Sequence, residues 1–226
     1  MGKTKHNKKN KRPAGRRLNR QTGIVKGPVN TVANRKYIKL NYSSGLTLTS
    51  TGNIVFKTYQ ANSLFEPEPT TGHAPLGFGQ WSAFYNRYRV VGVKLQINAE
   101  VAPQADPTNP GSGMYLVVGG HSRNVAPLTL DTAFEQPNYR NWLCTADKPT
   151  TNRTYYWPIN VLEGKSKEII RSEQAYSADF SQNPPNLTYL HFMAAATTTA
   201  STIVRCRLNF TFYCIMSEAK QLPQSE

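Results

Sequence analysis

Residues 201–216 read STIVRCRLNFTFYCIM, and alternate residues of this stretch differ in kind. Thr202, Val204, Cys206, Leu208, Phe210, Phe212, Cys214 and Met216 take the even positions, while Arg205, Arg207, Asn209 and Thr211 take odd ones. A β-strand sends successive side chains to opposite faces. A period of two held this long therefore predicts one strand with an apolar face on a core and a polar face in water. Residues 88–101, YRVVGVKLQINAEV, repeat the pattern: Val91, Val93, Leu95, Ile97, Ala99 and Val101 share one face, and Lys94, Gln96, Asn98 and Glu100 the other. Two long strands, each wet on one side, predict an antiparallel sheet.

Shorter segments extend the reading outward. Residues 36–42 alternate with Ile38, Leu40 and Tyr42 inward, and further strands are read at 53–59, 113–120, 154–161, 167–172 and 187–196. Clusters of Gly, Pro, Asn and Asp separate them, for example APQADPTNPGSG at 102–113. One stretch has helical spacing: in QWSAFYNRY, residues 80–88, Trp81, Phe84, Tyr85 and Tyr88 fall at i, i+3, i+4 and i+7. Such an aromatic stripe reads as a packing face for the sheet rather than a ligand platform. A second short helix is expected near 131–142. Eight strands, long loops and one early helix predict an all-β, two-sheet antiparallel sandwich, and a jelly roll is the commonest arrangement of eight.

Charge is distributed unevenly. The 226 residues hold 27 Lys plus Arg and 13 Asp plus Glu, a net charge of +14. The first carboxylate is Glu66, and 14 Lys/Arg precede it, so residues 66–226 are neutral in sum. Ten of those cations, Lys3, Lys5, Lys8, Lys9, Lys11, Arg12, Arg16, Arg17, Arg20 and Lys26, lie in residues 1–26, where the few apolar residues fit neither period and Pro13 and Gly15 break any helix. This segment cannot bury enough apolar surface to offset its ordering entropy, so residues 1–26 are expected to be a disordered basic arm. Residues 27–35, GPVNTVANR, read as a linker, 36–216 as the folded domain and 217–226 as a short tail.

A polycation of this density attracts polyanions and releases their condensed counterions, the electrostatics of nucleic-acid binding. The arm has no aromatic residue on which bases could stack, so contact with backbone phosphate, without sequence preference, is expected. Residues 8–17 also fit a nuclear-import patch and so an import receptor as partner. No run of apolar residues is long enough to span a membrane, no amphipathic face accompanies the charge, and no apolar signal region stands at the N-terminus.

Catalytic chemistry is not legible. There is no HExxH, CxxC, Walker loop or GxSxG, and Gly77-Phe78-Gly79 is followed by Gln80-Trp81-Ser82, so the dinucleotide fingerprint fails. His6, His73, His121 and His191 are scattered, His191 reads as a packed strand residue, and Cys144, Cys206 and Cys214 read as small buried hydrophobes. No catalytic residue, cofactor site or metal site is assigned, and an enzyme is not expected.

The run LGFGQWSAFYNRYRVVGVKLQI, residues 76–97, resembles the helix-then-strand segment of small jelly-roll capsid proteins, those of circular single-stranded DNA viruses and of small plant RNA and satellite viruses. In that family an aromatic helix between strands C and D leads into a strand D beginning Tyr-Arg-Val, here Tyr88-Arg89-Val90. The likeness spans residues 36–216 and implies strand E at 113–120, F near 154–161, G near 167–172, H near 187–196 and I at 201–216. The tail, SEAKQLPQSE, offers no projecting domain.

The resemblance implies a virion protein that self-assembles into an icosahedral shell, of 60 copies in the simplest case. It would package a single-stranded genome, DNA rather than RNA, and stand in the host nucleus or cytoplasm during assembly. It further implies that the sheet of strands B, I, D and G faces the interior, which would turn Lys39, Lys94, Arg205 and Arg207 toward packaged nucleic acid beside the arm. Two other classes fit the residues: a cellular nucleic-acid-binding β domain with exposed strand aromatics, and a lectin-like sandwich with an import tail.

Overall fold

The computed structural model describes residues 32–70, 72–102, 113–145 and 148–221. The chain divides into two units, Met1–Thr31 and Val32–Glu226, and the second is the folded body. Its strands are β1 (Arg35–Ser50), β2 (Val55–Gln60), β3 (Tyr85–Val101), β4 (Met114–His121), β5 (Tyr139–Cys144), β6 (Thr150–Pro158), β7 (Ser177–Asp179), β8 (Tyr189–Ala196) and β9 (Thr202–Ala219). Four short helices join them: α1 (Phe78–Ser82), α2 (Leu130–Glu135), α3 (Ile159–Leu162) and α4 (Lys167–Ser172).

The strands form two antiparallel sheets, ordered β1-β9-β3-β6 and β2-β8-β4-β5, with β7 added beside β3. Lettered in chain order with β7 left out, these are B-I-D-G and C-H-E-F, the jelly-roll arrangement expected from the strand count. The helix between strands C and D is present as α1.

The two long alternating segments form the centre of the first sheet. Thr202, Val204, Cys206, Leu208, Phe210, Phe212, Cys214 and Met216 are all buried, while Arg205 and Arg207 are exposed. Leu40 and Tyr42 of β1 are buried with them. Facing them across the sandwich are Tyr59, Leu116, Val118, Leu190 and Phe192, and one continuous core joins both sheets. Phe210 stacks on Phe212 at 6.0 Å and meets the Tyr59 ring at 4.9 Å, contacts that add to the burial of the rings.

The second sheet buries apolar side chains on its far face as well. Its far face carries Val117 paired with Met193, and both are closed over, with Tyr139 and Ala133 of α2, into a separate small cluster. Among the described residues the first sheet has no such cover over most of its far face, where Lys39, Arg205 and Arg207 are exposed.

Several local expectations are corrected. Helix α1 stops at Ser82, and Tyr85 and Tyr88 belong to β3, where both are buried. Aromatic residues suit strands as well as helices, and pairing of β3 along β9 overrides the helical spacing. The stripe packs only in part: Tyr88 meets the Phe78 ring edge-on at 5.4 Å and Trp81 lies 6.0 Å from Tyr85, but Phe84 is exposed.

Residues 167–172, read as a strand, are α4, because Ser166 accepts a hydrogen bond from the Ile169 N–H and caps a helix start. The segment near 131–142 is α2 followed by the start of β5. Strand F is therefore β5 and strand G is β6, one strand earlier than the resemblance implied.

Val91 is half-buried and not in the inward row. A β-bulge between Val90 and Gly92 shifts the register, so Tyr88 and Val90 point inward before it and Val93 after it.

Candidate nucleic-acid interface

The open face of the first sheet is built by parity. Residues one step from each buried position must point outward, and on β1 they include Arg35, Tyr37 and Lys39. On β9 they are Arg205, Arg207, Tyr213 and Ile215, and on β3, with the bulge, Arg87, Arg89, Lys94 and Glu100. This face carries the cations Arg35, Lys39, Arg87, Arg89, Lys94, Arg205 and Arg207 against the carboxylates Glu100 and Asp179. Residues 32–226, with 17 Lys/Arg against 13 Asp/Glu, thus gather seven cations on one sheet face, a field that draws anions.

Lys39, Lys94, Arg205 and Arg207 all lie on this face. Lys39 Nζ sits 5.2 Å from the centre of the Tyr213 ring, a cation–π contact. Lys94 lies between Thr211 and Tyr156. Arg205, flanked by Thr47 and Glu100, and Arg207, flanked by Gly45 and Asn98, border a shallow depression of about 750 Å³ shared with Asn98, Thr150 and Asn152. The ten cations of residues 1–26 lie outside the described residues.

Four arginines that sequence reasoning missed lie at the other end of the face: Arg35, Arg87, Arg89 and Arg171 line a second, deeper cleft. Unbroken alternation from Val91 would have buried Arg87 and Arg89, and the signal of a break was the run Val90-Val91-Gly92-Val93, too apolar for one period. Arg171 was hidden by the strand reading of 167–172; the acid Glu168 in the first turn and Arg171 in the last are helix signals. The face also carries aromatic surface: Tyr37 is 64% exposed and Tyr156 52% exposed, the latter edge-on to Tyr213 at 5.4 Å.

His191 is fully buried on β8, with Nδ1 3.1 Å from Thr58 Oγ1. Burial lowers its pKa to about 4, so it is neutral and packed, as its strand position suggested. Cys144, Cys206 and Cys214 are buried thiols, and burial pushes Cys206 up to about 12. Among the described residues no group of three or more His, Cys, Asp or Glu is placed to hold a metal ion.

The body is a jelly-roll sandwich with one cationic, tyrosine-bearing sheet face. No protein-family model matches the chain, and no curated protein sequence matches it. Among solved structures it is similar to Desmodium yellow mottle tymovirus, at 12% identity and a TM-score of 0.47, each chain covered fully. It is also similar to a semi-empty virus-like particle of the Macrobrachium rosenbergii nodavirus, at 13% identity and a TM-score of 0.43, over 84% of this chain and 97% of that one. A third is the BFDV capsid protein in a 60-mer, at 12% identity and a TM-score of 0.43, over 86% of this chain and all of that one.

Proposed function

We propose that this chain is a viral coat protein that assembles with its own copies into a closed icosahedral shell and packages single-stranded nucleic acid, DNA in preference to RNA. The observation that carries the reading is the segregation of charge. A body with a net charge of only +4 collects seven cations on the open face of one sheet, and the strand that starts that sheet follows a segment with ten cations in 26 residues.

In a shell this face would turn inward, and it and the cations of residues 1–26 would neutralise phosphate with counterion release. The opposite sheet covers the middle of its far face with its own cluster and leaves Phe56 and Leu143 exposed there. Leu76, Val125 and Leu128 stand 87%, 65% and 87% exposed in the loops after β2 and β4, apolar surface suited to contacts between copies. Many weak contacts, summed over a closed assembly of 60 copies in the simplest case, give a stable particle. The role is structural rather than catalytic, in the virion, with residues 8–17 serving nuclear import before assembly.

The exposed rings of Tyr37 and Tyr156 favour a second reading, a cellular β domain that binds single strands by stacking and works as a monomer or small oligomer. Size-exclusion chromatography with negative-stain imaging of the purified chain separates the two. A particle of shell dimensions that carries nucleic acid supports the coat protein, and a 25 kDa monomer at every salt concentration overturns it. Deleting residues 1–26 is expected to remove most co-purifying nucleic acid while leaving the β-sheet circular dichroism unchanged. Undiminished co-purification would remove the arm from the reading.

A further inference from the structure

Four arginines line one cleft at one end of the basic face. Arg35 on β1 stands opposite Ser217 of β9, and Ser217 on its other side faces Arg87 of β3. Strands lie about 4.8 Å apart, so these two arginines flank the serine across two strand spacings. Arg89 follows on β3, between Ile215 of β9 and Ser177 of β7, and Arg171 arrives from α4. With Glu218 at its rim they line a cleft of about 180 Å³. A water molecule takes ~30 Å³ in the liquid, so the cleft has room for a phosphate group.

The cleft holds more positive charge than its own carboxylates balance. Arg87 Nε is 3.7 Å from Asp179 Oδ1, beyond hydrogen-bonding reach, and its Nη2 makes only a long 3.4 Å bond to the Ser177 carbonyl. Arg89 Nη2 donates to the Glu173 carbonyl at 2.8 Å. The Nε of both arginines is buried and has no hydrogen-bond acceptor among the described residues. Burial, with the charges of Arg35 and Arg87, pulls the Arg89 guanidinium below its ordinary pKa. Four guanidinium groups against Asp179 and Glu218 leave a surplus of two. Like charges crowded in a partly dry cleft repel, and an anion there would relieve that repulsion and accept hydrogen bonds from guanidinium N–H groups. Two residues along β1 from Arg35, Tyr37 lies opposite Ile215 on the same face, 64% exposed.

We propose that this cleft is a nucleotide subsite, in which the four arginines hold one backbone phosphate of a single-stranded nucleic acid and Tyr37 stacks the neighbouring base. The inference rests on the nucleic-acid reading above and adds a folded anchor to it. Neither contact selects a sequence, because phosphate carries no base information and every base offers a π face.

The test uses the full chain and two readouts. In the first, inorganic pyrophosphate is titrated while thermal unfolding of the body is followed. An anion held by the folded cleft raises Tm, whereas one held by cations outside the folded body does not. A rise of several degrees is expected, and it is lost in Arg89→Gln and in Arg171→Gln. Arg171 is exposed on its helix, so its replacement remains informative should Arg89→Gln fail to fold.

In the second, an oligothymidylate and an abasic strand of equal length are titrated over a salt series. Arg171→Gln is expected to flatten the slope of log K against log salt by about 0.7, the share of one phosphate contact on a single strand. Tyr37→Ala is expected to weaken the oligothymidylate about tenfold and leave the abasic strand unchanged. A Tm that pyrophosphate does not move, or moves equally in both arginine variants, overturns the cleft. A Tm shift lost in the variants, with unchanged oligothymidylate slope, makes this a free-anion site and overturns the nucleotide assignment. Failure of the wild-type chain to bind either strand is the different result that removes the nucleic-acid reading itself.

Discussion

Val90 faces Cys214 and Gly92 faces Tyr213, its immediate neighbour on β9, so Val91 has no partner there. This single extra residue brings Arg87 and Arg89 onto the same open face as Lys94, although they differ in parity along the strand. A Cβ at position 92 would run into the Tyr156 hydroxyl and ring, so any larger residue there must displace that side chain. Gly92→Val is expected to cost about 1–3 kcal/mol by overpacking, read as a lower urea midpoint with unchanged m-value. Much of the loss should return when Tyr156→Ala is added; an equally unstable double variant would locate the strain elsewhere.

Glu68 is a buried carboxylate held by three side chains from two strands. Tyr42 and Ser44 of β1 donate to its Oε2 at 3.1 and 2.8 Å, and Lys57 of β2 approaches Oε1 at 2.8 Å. It ties the loop after β2 to both sheets. Glu68→Leu leaves two hydroxyls and an ammonium without this acceptor and is expected to destabilise by about 2–4 kcal/mol. Chemical denaturation measures this, and a loss under about 0.5 kcal/mol, the range of ordinary surface changes, would refute the role.

His191 gives the body an acid sensitivity. Its folded pKa of about 4 lies below the ordinary 6.5, so between these values the unfolded chain binds a proton that the folded chain refuses. The stability held above pH 6.5 is therefore lost progressively as pH falls toward 4, by on the order of 1–3 kcal/mol. His191→Phe, beside the Phe56 ring 6.4 Å away, is expected to flatten stability between pH 7 and 5.5. An unaltered slope in that window would assign the sensitivity to other groups.

The three thiols are shielded and, where burial acts most strongly, held protonated. Burial raises Cys144 and Cys214 as well as Cys206, and the thiolate is the reactive form. Ellman's reagent is expected to label no thiol in the folded chain within minutes and all three in denaturant. Rapid labelling of one in the folded chain would contradict its burial.

Much of the architecture was legible because alternation is a local signal. Residues 201–216 needed no partner to declare an inward row, and Lys39, Lys94, Arg205 and Arg207 followed onto the open face from the same count. The reading failed where a local pattern had two solutions. Tyr85 and Tyr88 fit a helical stripe or a strand equally well until β9 was present to pair with β3. Residues 167–172, with adjacent Ile169 and Ile170, looked like a strand until the Ser166 cap was seen. The arginine cleft was invisible for both reasons at once, needing the bulge to turn Arg87 and Arg89 outward and the helix to deliver Arg171.

What the amino-acid order settled alone was the charge partition, the β class and the inward rows of the long strands, since each depends on neighbours a few residues away. Which strands lie side by side, where the register slips, and which cations from 35, 87, 89 and 171 meet in one cleft were decided by tertiary pairing. Those contacts join residues up to 182 positions apart, as between Arg35 and Ser217, and no local periodicity carries information over that distance.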